Sequence, residues 1–355
     1  MKTLPHLFII LLCSCQLLMA QDEQAKAKQL QKDGNFKDAL VIYLELLESE
    51  SDETAGVLEN LKAAKECAGR LSSNEFDIET LRGILTKHPE NWQIIPTAVS
   101  RAEFISARFR KADEENPTNR FEWLRWYEKA IPFAEKATPA EAKEAGAYWL
   151  AFAERVSNRA MEPWKLHSLT DYENPPVEEI QHLHWGDFVA AAAAVDGDGN
   201  PLFHEIPESY AVATTNGERW RWLLEKAATA TPKLRSEVDF KHAEFLERQF
   251  SVITTGERFA PDRAIKKPLY AWHLLADEET VAQLATGASG VRLPAGHRFL
   301  ELYKGIEESV RTWKMRARTK IVGIYENRGQ YSKAAAMLQS EGGCRNAETI
   351  KRKAS

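Results

Sequence analysis

Apolar side chains recur every three or four positions along most of this chain, the period of one face of an α-helix. After residue 20, Ala25, Ala27 and Leu30 mark a short first helix that stops at Asp33-Gly34-Asn35. Phe36, Ala39, Leu40, Tyr43, Leu46 and Leu47 then outline the buried face of a second, and Val57, Leu61, Ala64, Ala68 and Leu71 that of a third. Further helices are predicted over Phe76–Leu85, Ile94–Phe109, Phe121–Ala137 and Ala140–Ala160. Their breaks fall at His88-Pro89, Asn116-Pro117 and Thr138-Pro139, where proline drives the preceding residue out of the helical region.

The texture changes at Glu162-Pro163. From there to about Tyr210 come Pro175-Pro176, an alanine run at 190–194, and the turn-forming stretch Asp196-Gly197-Asp198-Gly199-Asn200-Pro201. Apolar residues on both sides of that turn predict a small β-hairpin near residues 194–206. Helical periodicity resumes from Gly217 to Phe250 and again from Leu269 to Ala285, and a final pair begins near Gly296.

Two stretches share one spacing. Gly34-x-Phe36-x-x-Ala39-x-x-x-Tyr43 returns near the other end as Gly329-x-Tyr331-x-x-Ala334-x-x-x-Leu338, after a helix through Trp313, Ala317, Ile321, Ile324 and Tyr325. Glycine permits the tight turn, alanine lets two helices approach, and the large side chains fill the groove between them. The pattern resembles the tetratricopeptide repeat. The fold class expected is therefore all-α, a solenoid of tetratricopeptide-like helical hairpins with the β-hairpin as an insertion. The divisions are a leader at 1–20, an N-terminal helical repeat region at 21–160, an irregular segment with the hairpin at 161–210, a C-terminal helical repeat region at 211–340 and a disordered tail at 341–355.

The leader carries Lys2 and the apolar run Leu7–Leu12, and its small Ala20 precedes Gln21-Asp22-Glu23, as in a secretory signal peptide. A second processing route is open: Leu12-Cys13-Ser14-Cys15 reads as a lipobox, with Cys15 as a lipid anchor. Residues 7–20, in which Gln16 is the only strongly polar residue, read as one h-region, which favours cleavage after Ala20. The run is too short to span a bilayer, and no other stretch reaches that length. Localisation is expected to be periplasmic or at the cell surface. Of 355 residues, 44% are hydrophobic and 10% aromatic, enough for a sizeable core. A net charge of −5 argues against a phosphate-backbone ligand and so against nucleic acid. Outside the leader only Cys67 and Cys344 remain, far apart: no disulfide framework and no metal spacing. Cys67 is expected in the core and Cys344 at the surface.

Each local hint of chemistry has a plainer reading. Asp196-x-Asp198-x-Asn200 begins like a calcium loop, but Pro201 stands where the loop needs glycine and Pro207 where it needs glutamate, so a hairpin turn is expected. His182-x-His184 has no third ligand at a usable spacing, and His204-Glu205 lacks the second histidine of a zinc helix. Trp220 and Trp222 tempt a glycan-binding reading, but side chains two apart on a helix point away from each other. Trp220 with Leu223, Leu224, Ala227 and Ala228 reads as a core face, the neighbouring arginines as solvated or paired with Glu218 and Glu225. Trp123, Trp126 and Tyr127 read as inter-helix packing, and Arg311 to Lys320 as a solvated face. Nucleophile motifs and glycine-rich phosphate loops are lacking. No catalytic, cofactor-binding or metal-binding residue is assigned, and no enzymatic activity is expected.

A set of phrases in the C-terminal half has a specific likeness. It comprises Pro163-Trp164-Lys165-Leu166, Leu169-Thr170-Asp171, Asp198 to Phe203, Ile206-Pro207-Glu208-Ser209 and Asn216 to Trp222. It continues with Phe245-Leu246, Gln249-Phe250, Asp277 to Thr280, Leu284 to Gly287, Leu293-Pro294 and Tyr325 to Tyr331. Together these resemble the helical, tetratricopeptide-like N-terminal region of bacterial alpha-2-macroglobulin-like proteins. The resemblance implies an exported protein of a proteinase-trapping family, whose members use a bait segment and, in many cases, a thioester built on Cys-x-Glu-Gln. This sequence lacks that motif. Its partner would be another protein or the family's downstream macroglobulin domains, and its aperiodic end, from Glu341, suggests a truncated or frameshifted product. The expected function is an exported, non-catalytic scaffold or interaction module. The alternative, motivated by the tryptophans and the lipobox, is a surface glycan-binding helical lipoprotein.

Overall fold

A computed structural model of the chain describes residues 21–49, 54–71, 76–109, 120–157, 166–174, 193–250, 271–306 and 311–339. The leader, His182, His184, Cys344 and the tail lie outside these residues. The described chain is mostly helical, with one two-stranded antiparallel sheet. It divides into two compact units: one reaches Tyr148 and takes in Tyr172–Pro175, the other comprises Trp149–Asp171 and Pro176 onward. No helix among the described residues is long and apolar enough to cross a membrane.

The first unit contains α1 (residues 21–32), α2 (Phe36–Glu48), α3 (Thr54–Leu71), α4 (Ile78–Lys87), α5 (Ile95–Phe109), α6 (Arg120–Ala134) and the start of α7 (Ala142–Val156). The elements are those the periodicity predicts, displaced by two or three residues at some ends. Gly34 turns α1 into α2 at φ 81°, with Asn35 N–H donating to the Leu30 carbonyl at 2.9 Å. That bond satisfies a carbonyl left open by the end of α1, and only glycine takes this backbone without strain. Ala39, Leu40, Tyr43 and Leu47 are buried, and Cys67 lies in the core as expected. Trp92, Tyr127 and Tyr148 form a ring cluster, with Tyr148 5.7 Å from Trp92 and 5.4 Å from Tyr127. Trp123 and Tyr127 are buried and Trp126 half-buried, the packing role read from their spacing.

The second unit contains the end of α7, α8 (Asn216–Ala230), α9 (Arg235–Phe250), β1 (Glu279–Leu284), β2 (Gly287–Arg292), α10 (Phe299–Gly305), α11 (Arg311–Asn327) and α12 (Tyr331–Gln339). The helices predicted from Gly217 to Phe250 are α8 and α9, separated at Thr231-Pro232. Gly329, at φ 70°, turns α11 into α12, and Gln330 N–H donates to the Tyr325 carbonyl at 2.8 Å. This is the same turn as at Gly34.

Two expectations are corrected. The helix predicted over Leu269–Ala285 is instead a short 3₁₀ turn, Trp272–Leu274, followed by β1, which pairs with β2 through a turn at Ala285-Thr286-Gly287. Thr280, Val281, Ala282 and Leu284 are buried, and the backbone of this stretch pairs with β2 and, at Gln283 and Ala285, with Ala193. A strand with α9 packed on it can bury successive positions. The hairpin predicted near 194–206 shrinks to a tight turn: Asp196 N–H donates to the Asn200 carbonyl at 2.9 Å, Val195 bridges Pro201, and Leu202 N–H donates to the Ala194 carbonyl at 2.9 Å. Pro201 has no N–H to extend a ladder, and the chain leaves as irregular structure. The two-stranded sheet thus lies at 279–292, and Ala193 extends it on the other side of β1.

Candidate functional site

The Asn216-Gly217-Glu218-Arg219-Trp220-Arg221-Trp222 phrase opens α8, and nearly every residue in it has a separate partner. Asn216 is buried; its Nδ2 donates to Thr170 Oγ1 at 2.8 Å and its Oδ1 accepts from Thr170 N–H at 3.2 Å. Gly217 faces the His204 ring so closely that a Cβ would sit 2.2 Å from it. Thr215 caps the helix by accepting Glu218 N–H at 3.1 Å, and the Glu218 carboxylate accepts Thr214 N–H at 2.6 Å. Arg219 stacks over Tyr210 and donates to the Thr170 carbonyl at 3.1 Å.

Trp220 and Trp222 are both buried but join different clusters. Trp220 lies 4.5 Å from Phe245 and 5.9 Å from His242; Trp222 lies 5.5 Å from Trp149 and 5.9 Å from Tyr210. The two indoles form no common platform, and none of the described tryptophans is exposed. The arginine pairing differs from expectation. Glu225 takes Arg235 at 2.8 and 2.9 Å, and Glu218 serves Thr214. Arg221 is half-buried, and burial pushes it down to about 10 against the pull of Glu205, Glu225 and Asp239.

Behind this helix sit three buried histidines that the sequence gives no spacing for: His204, His242 and His297. His297 Nε2 donates to the His204 carbonyl at 3.2 Å, and the His242 and His297 rings meet edge to face at 6.1 Å. His204 Nδ1 lies 3.4 Å from Thr215 Oγ1. Burial is the chief influence on His204 and drives it down to about 4; Glu218 opposes the shift, while His297, His167 and Arg221 add to it. Burial likewise holds His242 well below its ordinary value, aided by Arg221, His297 and His204. Each of these two rings is neutral at ordinary pH. Among the described residues, neither His242 Nε2 nor His297 Nδ1, both buried, has a hydrogen-bond partner. One signal for His242 was available: Val238, His242, Phe245 and Gln249 fall on the buried stripe of α9.

On the outer side of Trp220 and Phe245 lies an open hollow with about 170 Å³ of room, completed by Leu224 and by Glu154, Lys241, Glu244 and Arg248 at the rim. The rim charges are already paired: Lys241 with Glu154 at 2.6 Å, Arg248 with Glu244 at 3.6 Å. Asp196 Oδ1 accepts the N–H groups of Asp198 and Asn200, both at 2.9 Å, so its carboxylate holds the turn, as expected, and sits below the ordinary carboxylate range because of those bonds. Among the described residues no group of three His, Cys, Asp or Glu is placed to hold a metal ion.

A second knot joins α10, α11 and α12. Asp277 accepts from Lys304, from Lys333 at 3.0 Å and from Tyr325 at 3.1 Å. Buried Arg328 donates to the Ala276 carbonyl at 3.2 Å, and Gln330 donates to the carbonyls of Leu275 at 2.7 Å and His273 at 3.3 Å. The Tyr325–Tyr331 phrase is therefore a hairpin turn that also fastens residues 273–277. What these arrangements do chemically is hold irregular segments against helices. No family profile, characterised protein or solved structure matches this chain.

Proposed function

We propose that this chain is an exported, non-catalytic helical-repeat scaffold, an interaction module similar to the N-terminal part of bacterial alpha-2-macroglobulin-like proteinase traps; these residues carry no Cys-x-Glu-Gln thioester motif. The observation that carries the reading is the pair of matching hairpins. Gly34 and Gly329 take the same left-handed backbone, and Asn35 and Gln330 close the same bond to the fifth residue back. Each hairpin then buries its alanine, Ala39 or Ala334, between packed helices. Such hairpins stacked in series make a tetratricopeptide-like solenoid whose inner face serves a partner protein or further domains of the same family. In the first unit α2 packs on α3 and α4, α3 and α4 on α5, and α5 on α6, contacts that support a stacked reading.

Further support comes from the phrases on which the family resemblance rests. Thr170 bonds Asn216, Gln249 donates to the Leu202 carbonyl at 3.3 Å, Thr280 donates to the Phe250 carbonyl at 2.5 Å, and Leu293 N–H donates to the Glu278 carbonyl at 2.8 Å. They are fastenings, and a scaffold needs those more than it needs a cleft. The test has three arms. Expression of the full chain in a bacterium, with fractionation and intact-mass measurement, is expected to yield a product beginning at Gln21 outside the cytoplasm; an acylated Cys15 species in the membrane fraction would favour the lipoprotein alternative. Assays against glycosidase and peptidase substrates are expected to show no turnover, and reproducible turnover overturns the scaffold reading. A saturable change in tryptophan fluorescence with oligosaccharides would replace it with glycan binding.

A further inference from the structure

Residues 202–206 run as irregular chain between the Asp196–Asn200 turn and the start of α8, and side chains hold them from several directions. Gln249 Nε2 donates to the Leu202 carbonyl, His297 Nε2 donates to the His204 carbonyl, and Thr215 Oγ1 sits beside His204 Nδ1. Phe203 packs on Phe250 at 5.1 Å and on His297 at 5.0 Å. Beyond Leu202 N–H, no backbone-to-backbone bond holds this stretch among the described residues. The His204 ring occupies the niche over Gly217 and lies 6.4 Å from Phe245. The stretch is thus fastened by side chains, two of them the imidazoles of His204 and His297, while α8 and α9 beneath it keep their own internal hydrogen bonds.

We propose that residues 202–206 form an acid-released strap: protonation of His204, with His242 beside His297 adding to the buried charge, detaches it from α8 and α9 and bares the apolar surface of Phe245 and Phe250. The charges facing the two rings set the direction. From α8 come Glu218 and Arg221, from the turn before α10 comes His297, and from the short 3₁₀ turn at residues 166–167 comes His167. Glu218 is the one anion among them, and its carboxylate is engaged by the N–H and hydroxyl of Thr214. A proton gained by either imidazole therefore creates a buried cation beside Arg221 and the other histidines, with no free carboxylate among these described groups to meet it. Moving the strap into water relieves that charge at the loss of a few side-chain contacts. An exported protein meets the pH of its surroundings directly, which gives such a device a signal to read. The strap rests on the proposed export for its signal and on the contacts above for its geometry.

The test is a pH titration of the full chain, followed with an apolar dye and far-ultraviolet circular dichroism. The expected result is a reversible rise in dye fluorescence with its midpoint between 6.5 and about 4, while the helical signal is kept. No rise in that window, or a rise that coincides with loss of helix, overturns the proposal. Replacing His204→Asn and His242→Phe together is expected to move the midpoint to lower pH, and an unchanged midpoint also overturns it. Should the double variant not fold at neutral pH, imidazole proton resonances of the unaltered chain decide. Two of the nine histidines must stay neutral until the dye signal rises. If all nine titrate at ordinary values, the strap is not held by neutral imidazoles.

Discussion

At the scale of single residues, Gly217 shows how one missing methyl group fixes a site. The His204 ring lies where a Cβ would go, at 2.2 Å, so Gly217→Ala must push the ring, and with it the strap, out of place. Overpacking of this kind costs about 1–3 kcal/mol. Urea unfolding of the variant is expected to show that loss, and adding His204→Ala is expected to recover part of it because the two changes share one contact. Full additivity would show that the ring and the glycine do not compete for the same space. None of this was legible in the sequence: Gly217 reads as a helix start, and His204 as half of an incomplete zinc motif. The partners lie on different elements, and only the tertiary fold brings them together.

Among elements, the legible parts are those in which local pattern and tertiary use agree. The hairpins at Gly34 and Gly329 combine a turn glycine with apolar spacing on both sides, and both formed where the pattern put them. The stretch from 269 to 285 misled because apolar residues interspersed with charge suit either a helix stripe or a buried strand. What decided for β1 was not local: α9 covers it, Ala193 bonds its outer edge, and Gly287, at φ 122°, turns it back into β2. At the second hairpin the turn and its polar fastenings can be separated by mutation. Gly329→Ala places a side chain at φ 70° and is expected to cost about 1 kcal/mol, the usual penalty for a non-glycine residue there. Gln330→Ala removes the donor to two carbonyls and is expected to cost about 1–2 kcal/mol. Asp277 offers a third probe. Burial alone would raise its carboxyl, but the hydrogen bonds from Lys304 and Lys333 prevail and bring it down to about 2. Its stabilisation is complete above its ordinary value of 3.8 and is lost as pH falls through about 2. With screening at a partly exposed site, Asp277→Asn is expected to lose about 1–2 kcal/mol at neutral pH. The variant and the parent should converge at the acid end. A gap that persists there would mean that shape, not charge, makes the contact.

For the whole molecule, the histidines and the carboxylates act in different pH ranges, and this sets the acid response. In the unfolded chain an imidazole takes up a proton near 6.5, whereas folded His204 resists until about 4. Between those values the unfolded state alone binds the proton, so stability is highest above 6.5, falls as the pH drops, and levels off below about 4. A shift of that size corresponds to about 3 kcal/mol for His204, and His242 acts in the same direction. Asp239 and Glu237, both raised by burial, work against the loss, because their folded forms hold protons more readily than the unfolded chain does. Each of them is partly exposed and lies beside a cation, Arg235 or Lys241, so their effect is the smaller one. Asp277 enters only at lower pH. Urea unfolding at a series of pH values is therefore expected to show stability falling from about pH 6.5 downward, well before ordinary carboxylates titrate. The same series on His204→Asn is expected to be flatter, although less stable at neutral pH. A parent curve that stays level to about pH 4.5, where only carboxylates begin to titrate, would mean that His204 and His242 are already charged, or already solvated, in the folded chain.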